Sequence, residues 1–125
     1  MAVYRGTTAR GVASAIARRT KHRAGTQRLP WNLSQDAVIA ILHKQKWRCA
    51  LTGIALQLPQ GPRRGFAWDS ISCDRIVARD GYMVGNVRFV LNAINLFRND
   101  GPDERMYMLA EALLRHREAV RKAKA

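Results

Sequence analysis

Asp74 and Asn95 are the side chains of this sequence best suited to chemistry, and both fall in one stretch, Ser70 to Asn95, reading SISCDRIVARDGYMVGNVRFVLNAIN. A carboxylate and an amide carbonyl are oxygen donors of the kind Mg²⁺ accepts while it keeps several waters and shares substrate phosphates. Asp74 and Asn95 can meet only if the chain between them doubles back. Ile71 and Cys73, then Ile76 and Val77, set apolar residues either side of Asp74 and Arg75, which predicts a short strand with one face on a core and polar side chains on the other. Asp80-Gly81 is a turn signal, Val87 and Phe89 predict a returning strand, and Asn92 to Asn95 open a helix. Strand, turn, strand and helix would bring Asp74 beside Asn95 as ligands for Mg²⁺, or for Mn²⁺ or Ni²⁺ in its place.

The order and spacing of these residues resemble the HNH, or His-Me finger, endonucleases, which are built on a ββα-metal motif. The pattern is similar to that of small bacterial and phage members with S-x-D-R-I and G-Y-x-x-x-N-V motifs preceded by C-x-x-T-G. Here these are Ser70 with Ser72-Cys73-Asp74-Arg75-Ile76, Gly81-Tyr82 through Asn86-Val87, and Cys49-Ala50-Leu51-Thr52-Gly53. The resemblance runs from about Leu29 to Asn99. It implies a catalytic set of Asp74, Arg75, Asn86 and Asn95, with Asp74 and Asn95 on the metal and Asn86 bracing the hairpin.

The family's general base is a His after the Asp. This chain has Arg75 there, and a guanidinium does not give up its proton in proteins. Arg75 is suited instead to gripping a phosphate oxygen or stabilising developing charge. The resemblance therefore implies a metal-dependent DNA endonuclease, nicking or cleaving phosphodiester bonds slowly. The alternative is a catalytically inactive DNA-binding or accessory protein on the same fold, in which Asp74 partners an arginine. His43 is a candidate stand-in base, with a surface histidine the plainer account.

Charge points the same way. Lys and Arg number 22 against 9 acids in 125 residues, a formal net charge of +13. Solubility needs no such one-sided excess, whereas phosphate contact and counterion release use it fully. Arg18, Arg19, Lys21, Arg23, Arg63, Arg64, Arg75 and Arg88 are the expected nucleic-acid contacts. Duplex DNA is the preferred partner, and RNA is admitted because phosphate attraction does not distinguish the polymers. Cys49 and Cys73 make neither a disulfide framework nor a four-cysteine site, so no structural zinc is expected and each reads as a small buried hydrophobe. With no apolar leader and no membrane span, the expectation is a cytoplasmic protein that does not engage a membrane.

The supporting elements follow from periodicity. Val12, Ile16 and the alanines between them predict a helix with Arg18, Arg19 and Arg23 on another face, or a basic arm that orders on a partner. Ser34 is placed to cap a second helix with Val38, Ile41 and Leu42 as its buried stripe, Leu33 as a staple on Val38, and His43, Lys44 and Lys46 at its end. Gln57 to Gly65 reads as a surface loop, and Trp68 as a core anchor leading into the first strand. Asp100 or Gly101 is expected near the cap of a last helix, whose Met106, Leu109, Ala110, Leu113 and Leu114 form a core face or a homodimer surface. The fold class is α+β, a ββα-metal hairpin and helix packed with additional N- and C-terminal helices. Its expected division is a basic arm or helix over residues 1–28 and an HNH-like domain over residues 29–125.

Overall fold

The computed structural model describes residues 8–58 and 67–125. It is α+β, with helices α1 (Ala9–Gln27), α2 (Gln35–Lys44), α3 (Asn92–Arg98) and α4 (Asp103–Lys124), and strands β1 (Ile71–Arg75) and β2 (Val87–Leu91). The chain forms two compact units, residues 1–95 and 96–125. Arg63, Arg64 and most of the expected Gln57–Gly65 loop lie outside the described residues.

In the first unit α1 is a docked helix. Thr8 caps it, accepting from the Gly11 N–H at 3.0 Å, and Val12, Ala13, Ile16, Thr20 and Ala24 form its buried stripe. Thr20 is the polar member of that stripe. Its hydroxyl donates to Ile16 O at 2.8 Å and accepts from Trp31 Nε1 at 3.0 Å, which ties the helix to the segment that follows it. Arg28, at φ 56°, ends the helix in the left-handed region, and Leu29 N bonds back to Ala24 O at 2.8 Å. Helix α2 begins where the sequence signals, with Ser34 Oγ accepting from Ala37 N at 3.2 Å. Val38 and Leu42 are buried with Leu33, while Ile41 is half-buried.

Strands β1 and β2 pair antiparallel in the register Ile71↔Leu91 through Arg75↔Val87. The outer edge of β2 is covered by one side chain and one loop. Gln45 accepts from Phe89 N at 3.0 Å and donates to Phe89 O at 2.8 Å; Ala50 N also donates to Phe89 O, and Leu91 N donates to Cys49 Sγ at 3.4 Å. The Cys49–Gly53 turn thus satisfies a strand edge that would otherwise present unpaired backbone groups.

Several expectations need correction. Ile76 and Val77 are exposed, because β1 ends at Arg75 and the alternation of faces ends with it. Trp68 is 58% exposed, and it is its backbone carbonyl that anchors the chain, accepting from Ala93 N at 2.9 Å. Asp74, expected on a solvent-facing side, is buried. In the second unit, α4 starts at Asp103 after Pro102, one to two residues later than expected. Arg98 Nε donates to Asp103 Oδ1 at 2.7 Å across the turn. Met106 is buried, but Leu109, Leu113 and Leu114 are exposed, so the apolar stripe is not a core face along its length.

Candidate nucleic-acid interface around the hairpin

Side chains two apart on a strand share a face, so Ser72 and Asp74 point to one side of β1. Across the sheet Asp74 pairs with Arg88, whose Nε donates to Asp74 Oδ2 at 2.8 Å. Asp74 is only 2% exposed. A carboxylate that dry is tolerated because the guanidinium neutralises it. Helix α3 leaves β2 directly at Asn92, and this brings Asn95 back over β1, where its Nδ2 donates to Ser72 Oγ at 2.6 Å. Asn95 and Asp74 therefore share a side of the hairpin, each with a protein partner. As placed they do not fit a divalent cation, because a guanidinium already stands at Asp74 Oδ2 and Asn95 turns its N–H toward Ser72. Among the described residues no group of three or more His, Cys, Asp or Glu is arranged to hold a metal.

The loop end is built differently. Asn86 Oδ1 accepts from Val77 N at 3.0 Å, while its Nδ2 donates to Val77 O at 2.9 Å and Gly81 O at 2.8 Å. One amide closes the turn. Gly81 sits at φ 78°, and a Cβ there would collide with Pro30 O, so a side chain is excluded by conformation and by space together. Arg75 is drawn into the same structure. Its Nη1 donates to Ala78 O at 3.0 Å and to Gln27 Oε1 at 3.3 Å, and its guanidinium carbon lies 5.0 Å from the centre of the buried Tyr82 ring. Arg75 thus joins the end of α1 to the hairpin turn. His43 lies on the last turn of α2, its ring 6.3 Å from that of Trp47.

Of the expected phosphate contacts on α1, Arg19 and Arg23 lie one turn apart on the flank of the buried stripe that carries Ile16. Arg18 projects from the opposite, solvent face, and Lys21 Nζ stands 5.2 Å from the Trp31 ring centre. Arg19 and Arg23 line a groove of about 310 Å³ with Thr20, Ser72, Cys73 and Asn92. Neither arginine forms an ion pair among the described residues. Burial, then the Asp74 charge, push the Cys73 thiol up to about 12, against the smaller opposing pull of Arg75, Arg23 and Arg19. It is neutral at ordinary pH. Burial also raises Cys49, but the Thr52 hydroxyl and the N–H groups of Leu91, Leu51 and Thr52 outweigh it, and the net shift is downward.

Sequence reasoning assigns no role to Thr20 or Gln45, and none to Ser72 beyond its place in the S-x-D-R-I pattern. Ser72 and Asn92 stood inside the singled-out stretch, but only the packing of α1 against the hairpin puts them at one groove. Nothing local marks Gln45, whose partner Phe89 is remote in sequence. Arg88, one of the expected phosphate contacts, is the partner of Asp74. No described helix is long and apolar enough to cross a membrane. Comparisons with protein-family models, with curated proteins and with solved structures found nothing that matches this chain.

Proposed function

We propose that this protein binds duplex DNA through its phosphates, on a frame similar to the ββα hairpin of the HNH family, with its acidic position neutralised from within. The observation that carries the reading is the Asp74–Arg88 ion pair beside Arg19 and Arg23. The carboxylate of β1 is cancelled at 2.8 Å, while two α1 guanidiniums at the same hairpin keep their charge uncommitted among the described residues. A net charge of +13 adds long-range attraction to that local arrangement. Fluorescence anisotropy with a labelled duplex tests it. If about six to ten phosphates are contacted, affinity falls by about 10³ to 10⁵ between 50 and 200 mM salt. A salt-independent isotherm, or tighter binding to single-stranded RNA than to the duplex, overturns the reading.

A second reading, the metal-dependent endonuclease, is favoured by the shared side of Asp74 and Asn95, with Asn95 bonded to Ser72, two residues from Asp74 on β1. It requires Arg88 to leave Asp74. Incubating supercoiled plasmid with Mg²⁺, Mn²⁺, Ni²⁺ or EDTA separates the two. An intact plasmid supports the binding protein, whereas metal-dependent nicking that vanishes in Asp74→Ala and strengthens in Arg75→His supports the nuclease.

A further inference from the structure

The groove between α1 and β1 is lined by hydrogen-bond donors in a way that the pairing of Asn95 itself creates. A hydroxyl has one hydrogen to give and two lone pairs to receive. Because Asn95 Nδ2 donates to Ser72 Oγ at 2.6 Å, that bond uses a lone pair and leaves the Ser72 hydrogen free to donate into the groove. Asn92 adds an amide at the same wall, and Arg19 and Arg23 add two guanidiniums at its rim. Among the described residues that line the groove none is acidic, and Asp74, the carboxylate of β1, is neutralised by Arg88. Thr20 is committed to Ile16 O and Trp31 Nε1, so it shapes the floor and takes no part in recognition.

We infer that this groove is a subsite for one backbone phosphate, gripped by Arg19 and Arg23 and oriented by the hydroxyl of Ser72, with Asn95 as the residue that positions that hydroxyl. The inference rests on the DNA-binding reading and assigns its anchoring point. The geometry suits a phosphodiester, which offers two non-bridging oxygens and a single negative charge. Arginine matches such an oxygen pair through its planar fork, and a neutral hydroxyl adds direction without adding charge. Asn95, which the family resemblance assigns to a metal, thereby acts on a phosphate through Ser72.

The test uses the full chain and a labelled duplex, comparing variants that remove equal charge. Arg19→Gln/Arg23→Gln should bind about 10- to 100-fold more weakly, as expected for lost hydrogen bonds to a charged group. The slope of log affinity against log salt should fall by about one. Arg10→Gln/Lys44→Gln, which removes two exposed cations away from the groove, should lose only the small general attraction and keep the wild-type slope. Ser72→Ala should weaken binding about 3- to 10-fold with no change of slope, since the lost donor is neutral. Ser72→Ala/Asn95→Ala should bind no more weakly than Ser72→Ala, because Asn95 acts through the hydroxyl. Circular dichroism and urea midpoints confirm that each variant is folded, and an unfolded member is replaced by Arg19→Lys/Arg23→Lys, which keeps the charge but loses the fork. Equal losses in the two charge-matched pairs, or an unchanged Ser72→Ala, overturn the groove while leaving DNA binding standing. A wild type that does not bind duplex overturns the DNA-binding reading itself.

Discussion

At the loop end of the hairpin Asn86 commits its whole amide to Val77 and Gly81, whereas at the helix end Asn95 makes one bond, to Ser72, that leaves a donor facing a groove. The arginines divide the same way. Arg75 is held by Ala78, Gln27 and the Tyr82 ring, while Arg19 and Arg23 stand at the groove rim without a carboxylate among the described residues. One end of the hairpin is a closed polar structure and the other a charged surface. Residue type therefore does not fix role here. What separates brace from binder is how many of a side chain's bonds the fold has already taken, because a group whose partners are internal has little left to offer a ligand.

The sharpest way to break this comparison is at the Asp74–Arg88 pair between the two ends. Arg88→Ala strands a carboxylate that is 2% exposed and should cost about 3 to 5 kcal/mol in urea unfolding. Asp74→Ala should cost less, because the Arg88 side chain keeps 16% exposure and its head can reach water. If Asp74→Ala proves the more damaging, the carboxylate has a role beyond this ion pair.

A smaller effect is expected at the brace. Asn86→Ala removes three hydrogen bonds from the turn and should destabilise by about 2 to 4 kcal/mol, with faster hydrogen exchange at the Val77 amide. Asn86→Asp keeps the acceptor for Val77 N but loses both donors, so it should recover only part of the protection. DNA affinity of a folded Asn86→Ala should match wild type, since the loop end is closed to ligand. A large selective loss of affinity would erase the distinction between the two ends.

A further effect appears only in alkaline solution and is read by pH. Cys73 has a folded-state pKa raised above the usual 9.0 to about 12, so the folded state holds the proton more tightly than the unfolded chain. Its contribution is fully present below pH 9 and is lost as pH rises toward 12, where unfolding releases a thiol proton that folding had retained. Wild type should lose stability more steeply than Cys73→Ala across that alkaline window. Parallel curves would mean that the thiol is better solvated than its position beside Asp74 implies.

Much of the frame was legible locally. Ser34 caps α2 because its hydroxyl reaches a nearby N–H, Asp80-Gly81 turns because glycine readily takes the positive φ found at Gly81, and the apolar spacing of Val12 and Ile16 marks the buried side of α1. These are interactions over a few residues, and sequence spacing encodes them. Where expectation and fold differ, burial is set by packing that residue type and spacing do not carry. Trp68 has the type of a core residue yet is 58% exposed, and the leucines of α4 repeat like a buried face but are exposed in the single chain.

By itself, then, the sequence determined the helices, the strand–turn–strand path, and a positive charge that no folding event alters, because each follows from local propensity or from composition. Tertiary structure decided what the polar side chains of the hairpin do. Arg88 faces Asp74 only through the pairing register of two strands, and Ser72 meets Asn95 only because α3 folds back over β1. Arg19 and Arg23 come beside Ser72 only when α1 docks on the same unit. A hydrogen bond or ion pair exists at about 3 Å and is gone a few ångströms further, so the partner of each polar group is set by packing geometry that residue order alone does not contain.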